Sequence, residues 1–186
     1  MIIIGIDNGV TGAVAVITNG NLRILVPTPV LEVTDYQSTK EHRLHRIDHQ
    51  KLKYFFSKYV QRVAGFDKPA EVVLERPMIN FRRFSASISA ARSFEATLVI
   101  LEQLGLPVKV VSSSFWQCNL TKEELLQGQK DTRKYLHKRT LTKDDNKQVY
   151  AEIAKHMFPD WAGQITNVNA DAVLIAAIAY RIKEKK

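Results

Sequence analysis

Ile2-Ile3-Ile4-Gly5-Ile6-Asp7-Asn8-Gly9-Val10-Thr11-Gly12 is the stretch on which the fold turns. Its branched aliphatics read as a short strand buried on both faces, and the Gly-rich turn lets the chain reverse into Ala13 to Thr18. Asp7 is thereby held at a strand end. An ionised group beside a buried strand costs free energy unless a metal, a cation or hydrogen bonds compensate it, so the rest of the chain must supply what Asp7 faces.

Outward from this stretch, Asn19-Gly20-Asn21 is a hairpin turn signal and Leu22 to Val26 the returning strand. Pro27-Thr28-Pro29 stops the meander, and residues 34–45 are polar enough to be a long exposed loop. His42, His45 and His49 stand there at metal-like spacing but without supporting acids or cysteines, so a solvated basic loop is the better reading. From Asp48, an N-cap, Leu52, Phe55, Phe56, Tyr59, Val60 and Val63 recur at helical spacing up to Gly65.

Glu71 to Leu74 is a second buried strand, which delivers Glu75 before Arg76-Pro77. Residues 85–104 form a long helix with Ile88, Ala91, Phe94, Leu98 and Leu101 on its core face, and Pro107 to Val111 is another strand. The stretch from Leu120 to Lys147 is dense in Lys and Arg with little apolar periodicity and reads as a basic flexible arm. Val149 to Phe158 resumes an amphipathic helix, and Asp171 opens an apolar helix over residues 172–182. Three meandering strands, then helix, strand, helix, strand and helices, give a single α/β domain with helices covering a mixed sheet.

The chain has 186 residues, 45% of them hydrophobic and 25% charged, with 27 Lys and Arg against 19 acids and a net charge of +8. That composition is that of an ordinary globular protein rather than a disordered chain and favours a polyanionic partner such as nucleic acid or an anionic membrane. The single Cys118 forms no internal disulfide, which points to a reducing compartment and excludes a cysteine metal cage. No apolar run looks long enough to span a bilayer, and no basic segment followed by an apolar one opens the chain. An intracellular soluble protein is the expectation.

Strands joined through a helix are usually parallel neighbours about 4.8 Å apart, which would set Asp7 and Glu75 side by side at their C-terminal ends. Leu174, Ile175 and Ile178 follow Asp171 at spacings of three, four and seven, so its carboxylate shares the face that packs on the sheet. Three converging acids repel one another unless a cation sits among them, and Mg²⁺ is the usual occupant of an all-carboxylate site. Two such ions about 3.5–4 Å apart activate a water and stabilise the leaving oxygen in phosphodiester hydrolysis. A basic protein with this constellation reads as a nuclease.

The residues now carry a resemblance. Gly5-Ile6-Asp7-Asn8-Gly9-Val10-Thr11-Gly12, Val73-Leu74-Glu75-Arg76-Pro77 and Ala170-Asp171-Ala172-Val173-Leu174-Ile175-Ala176 are similar to the successive motifs of the RuvC family of Holliday-junction resolvases, phage-type members above all. The resemblance covers nearly the whole chain. It implies an RNase H-like fold with a five-stranded mixed sheet, a homodimer, dependence on Mg²⁺ or Mn²⁺, and paired symmetrical nicks in four-way DNA. It implies catalytic acids at Asp7, Glu75 and Asp171 and a cytoplasmic site of action, in a bacterial host for a phage protein.

One departure stands out. Phage-like members place a further acid four residues before the last, and here that position holds Asn167, a weaker Mg²⁺ ligand that cannot act as a base. As a fourth candidate ligand Asn167 is one helical turn from Asp171; it is either a natural amide or an inactivating change.

Arg76, Asn80, Phe81, Arg82, Arg83 and Phe84 follow Glu75 and combine phosphate-seeking cations with aromatics able to stack on unpaired bases. Lys122, Lys130, Arg133, Lys134, Lys138, Arg139 and Lys143 would neutralise phosphates. Ser112, Ser113, Phe115 and Trp116 resemble the family segment near the scissile phosphate, although Trp116 reads better as core. By resemblance the helix over 85–104 makes the dimer contact.

Two other classes compete. The opening stretch also looks like the first phosphate loop of actin-like kinases, but those need two such domains, roughly twice this length, and no second loop appears, so no nucleotide cofactor is expected. The other is a junction-binding protein that does not cleave.

Overall fold

The computed structural model describes residues 1–34, 43–60, 70–137, 140–142 and 145–185. A five-stranded mixed sheet has the order β3-β2-β1-β6-β7. Its strands are β1 (Ile2–Asp7), β2 (Ala13–Thr18), β3 (Asn21–Pro27), β6 (Ala70–Glu75) and β7 (Val108–Val111). β1, β2 and β3 form the antiparallel meander, turned at Asn19 and Gly20 in positive φ, whereas β6 runs parallel to β1, with Ile6 opposite Leu74, and β7 parallel to β6. This is an RNase H-like α/β fold.

The two central strands are apolar on both faces because each face is covered. Ile3, Ala13, Ala15, Ile17 and Val73 pack with Leu174, Ile175 and Ile178 of the last helix, while Ile2, Ile4, Val14, Val16, Val72 and Leu74 pack with Leu52, Phe56, Ile100 and Leu101. A strand covered on both sides keeps no polar alternation, which is why the opening run reads as continuous hydrophobics.

The helices are α1 (His49–Phe55), α2 (Phe84–Gln103), the short α3 (Ser113–Gln117), α4 (Lys122–Leu136), α5 (Asn146–Met157) and α6 (Ala170–Glu184). Asp48 caps α1 by accepting from the Lys51 amide at 3.0 Å, and a π-helical turn, Phe56–Val60, extends it. Val63 and Gly65 of the expected helix lie outside the described residues, as does His42.

Four expectations need correction. The exposed loop over 34–45 is in part a hairpin, because Val30–Thr34 and Arg43–Ile47 pair as antiparallel β4 and β5 in a separate two-stranded sheet, with His45 at 3.5 Å from Glu32. The flexible arm is for most of its length two helices, α4 and α5. α4 is closed by a capping box in which Thr121 Oγ1 accepts from the Glu124 amide at 3.1 Å and Glu124 accepts from the Thr121 amide at 2.7 Å. Its apolar face is narrow and Gly128 sits directly on Ile153 and Val149 of α5, so the periodicity is weak though the helix is firm.

The fully buried residues of α2 are Ser87, Ser93, Thr97, Ile100 and Leu101, with Phe94 and Leu98 partly buried against the same core as expected, whereas Ala91 is exposed and Ile88 half-buried. Small hydroxyl residues let the helix lie close to its neighbours, with Ser93 Oγ donating to the Ser89 carbonyl at 3.0 Å. The fourth correction is that α2 is long and apolar enough to cross a membrane by length and composition. It packs instead against α1, β5 and β7, and its apolar surplus lies on its outward stripe.

Candidate functional site

Parallel pairing in register brings Asp7 and Glu75 to the same end of adjacent strands. Asp171 enters from α6, which crosses β1 so closely that a methyl on Gly5 would stand 2.6 Å from the Ala176 nitrogen. Gly9, at φ 145°, lets the turn after Asp7 fold back, and the Gly12 amide donates to the Gly9 carbonyl at 3.1 Å. Asn8 fastens this turn to α2, donating through Nδ2 to the Ala90 carbonyl at 3.0 Å.

The electrostatics record the convergence. Burial, then the Asp171 charge, pushes the Asp7 carboxyl up to about 7, against the pull of Lys147. Glu75 is pushed up to about 8 by burial and by the charges of Asp7 and Asp171. Asp171 is raised by burial and opposed by Lys147. Each carboxyl carries a cost that an added positive charge would relieve.

Oδ1 of Asp171 and Oδ1 of Asn8 are buried with no hydrogen-bond partner among the described residues. As they stand, no three His, Cys, Asp or Glu side chains among the described residues are close enough to hold a metal ion. The donors nonetheless suit a hard divalent cation in kind. They are all oxygens, and two of them, Asp171 Oδ1 and Asn8 Oδ1, are buried without a partner among the described residues.

Asn167 is not brought into this set. It lies exposed in the turn 167–169 ahead of α6, three positions before the first helical residue, Ala170, and its side chain has no partner among the described residues. Residue 167 stands ahead of the helix, in a turn closed by the Ala170 amide donating to the Thr166 carbonyl at 3.0 Å.

Among the nucleic-acid candidates, Arg76, Arg82, Arg83 and Phe84 are exposed beyond β6. Asn80 acts locally: its Oδ1 accepts from the Arg82 amide at 3.0 Å, and Ser87 Oγ ties its backbone from both sides, at 2.9 and 3.0 Å. The Phe81 side chain, Lys138, Arg139 and Lys143 lie outside the described residues. Lys130, Arg133 and Lys134 are exposed on α4, and Ser113 is half-buried at the start of α3. Ser112 and Ser114 share a hydrogen bond of 2.6 Å beside the end of β7, next to Glu75.

Lys147 and Tyr150 at the site escape sequence reasoning, and Trp116 reads better as core. Lys147, exposed in the first turn of α5, is within charge reach of all three acids. Its one signal was its place at the head of the amphipathic run that begins at Val149. Trp116 is 1% exposed, as a core residue should be, and also lies beside Glu75, favouring its ionised form although its Nε1 meets no acceptor at hydrogen-bond geometry. Tyr150 packs edge-on against Trp116 at 4.7 Å and feels the Asp171 charge, which with burial raises its phenol.

No family model matches the chain, and no curated protein matches it in sequence. Among solved structures, a T. thermophilus RuvC in complex with Holliday junction substrate aligns over 99% of this chain and 96% of its own, at 16% identity and a TM-score of 0.50. A Thermus thermophilus RuvC structure aligns over 100% and 97%, at 14% identity and a TM-score of 0.47. The chain is thus similar in fold to RuvC over its whole length, and the acids at the ends of β1 and β6 and the head of α6 are set in an RNase H-like frame.

Proposed function

We propose that the protein is a divalent-metal-dependent endonuclease that nicks four-way DNA junctions as a homodimer. One observation carries this reading. Asp7, Glu75 and Asp171 lie at one end of the sheet, within charge reach of one another, with raised carboxyl pKa values and an orphaned buried oxygen on Asp171. Such a cost is hard to account for in a purely structural cluster. The shared fold with a RuvC captured on a Holliday junction supports a branched substrate.

In this reading Asp7, Glu75 and Asp171 would hold Mg²⁺ or Mn²⁺, which when bound supplies an activated water and charge stabilisation at the leaving oxygen. The chain's own residues do the rest. Lys147 offsets the negative charge of the acids and stands ready for a phosphate oxygen, while Arg76, Arg82 and Arg83 neutralise neighbouring phosphates. The exposed Phe84 ring offers a stacking surface for a base unpaired at the branch point. The outward stripe of α2, with Ala91 and Val99, is the surface we assign to the second copy.

Nicking of a four-way junction, a linear duplex and an RNA–DNA hybrid, each with and without Mg²⁺, tests the reading. Cutting of the junction alone, and only with Mg²⁺, is expected; equal cutting of all three would refute it. The exposed Asn167 favours a second reading, a junction binder that does not cleave. Junction binding without nicking in both the native chain and Asn167→Asp would select it, whereas nicking gained in Asn167→Asp would mark position 167 as the missing acid.

A further inference from the structure

The β4–β5 hairpin and α2 leave a cleft of about 710 Å³ between them. β5 lends it His45 and Arg46, and α2 lends it Phe84, Ser85, Ser89 and Arg92. No carboxylate lines it. Glu32, on the strand paired with β5, is engaged by Arg43 at 3.0 Å and by His45 at 3.5 Å. Arg46 and Arg92, one from each wall, have no hydrogen-bond or ion-pair partner among the described residues.

Two unpartnered guanidiniums with serine hydroxyls between them form an anion-seeking surface, because Arg offers a planar fork matched to phosphate oxygens and Ser adds a neutral donor. The shape suits a chain of phosphates. From Ser85 to Ala96 the α2 wall is about 16 Å long at ~1.5 Å per residue, against one phosphate about every 3.4 Å along a DNA strand.

The α2 wall of the cleft is tied to the turn after Asp7 by one hydrogen bond. Asn8, next to Asp7, is bonded to the carbonyl of Ala90, and Ser89 and Arg92 flank that residue on the side of α2 that turns toward the hairpin.

We propose that this cleft takes the sugar–phosphate backbone of a DNA strand running out of the carboxylate site, so that the hairpin and α2 grip one arm of the substrate. This rests on the nuclease reading for its starting point and adds a second contact region, on residues that none of the sequence motifs picks out.

The full chain in EDTA, with synthetic four-way junctions of long arms and of arms cut back to a few base pairs, allows binding to be read by anisotropy over a salt series without cutting. Arg46→Ala and Arg92→Ala should each weaken binding of the long-armed junction by roughly fourfold and lower the salt slope by about one, with the double variant losing about two. The short-armed junction should bind equally well to all. Melting temperature and sedimentation should not change, since both arginines are on the surface.

Unchanged affinity and slope in the double variant would overturn the proposal. So would an equal loss on short and long arms, or a change in oligomeric state, which would give the cleft to a second copy. If the native chain bound a junction no better than a plain duplex, the resolvase reading would fail. A salt slope on duplex that still fell in the double variant would support the cleft on its own.

Discussion

Gly5 and Ala176 meet backbone to backbone: a methyl at Gly5 would stand 2.6 Å from the Ala176 nitrogen and overlap the carbonyl oxygen of Ala172. Asp7 lies two residues beyond one side of this contact, and Asp171 one residue before Ala172 on the other. The glycine therefore sets how near the two acids come, although it carries no chemistry.

Replacing it tests that link. Gly5→Ala must separate β1 from α6 or strain both, so a loss of about 3 kcal/mol or more in urea unfolding is expected. Native stability in this variant would show that the close packing does not hold the site.

The raised carboxyls set a pH dependence of known sign. A carboxyl whose pKa is lifted by folding keeps its proton where the unfolded chain has lost it, so the folded state binds more protons through the interval. Stability of the metal-free protein should fall as pH rises from about 4, the unfolded value, to about 8, the folded value of Glu75. Glu75→Gln removes the penalty and should stabilise the metal-free protein at about pH 8 by on the order of 1–2 kcal/mol, some 2–4 °C per kcal/mol. A thermal melt in which this variant is less stable than the native chain at that pH would contradict the account. Added Mg²⁺ should stabilise the native chain and not the variant.

Lys147 lowers the cost of ionising Asp7, Glu75 and Asp171 together. In Lys147→Met all three carboxyls should hold their protons more tightly, so the pH midpoint for Mn²⁺ binding should move up by about half a unit to one unit. The helix should survive, because the residue is exposed in the first turn of α5. An unchanged midpoint would place the ammonium outside the site.

The parts legible in the sequence were those in which one local pattern decided the structure. Ile2 to Ile6 and Val72 to Leu74 read as strands because both faces are buried, and a helix between them dictated parallel pairing. The hidden parts depended on tertiary contacts. α2 turns serines and Thr97 inward beside Phe94, Leu98 and Leu101, so a rule that puts the larger apolar residues inside finds those three and misses the small hydroxyl residues. α4 rests its Gly128 on α5 rather than a broad apolar face, and only its capping residues, Thr121 and Glu124, betrayed it. Lys147 is one cation among many in a basic stretch, distinguished only by the acids it faces. Residue 167 stands just ahead of α6, in a turn that Asn169 fastens by accepting from the Thr166 amide at 2.8 Å.

The most direct measurement is the number of protons released when Mn²⁺ binds. At about pH 6.5, Asp7, pushed up to about 7, and Glu75, pushed up to about 8, are largely protonated in the metal-free protein. A cation can enter only by displacing those protons. Calorimetric titration in two buffers of different ionisation enthalpy should show release of about one to two protons per site, falling by about one in Glu75→Gln. Absence of binding, or binding with no proton release, would contradict the assignment of Asp7, Glu75 and Asp171 as a cation site.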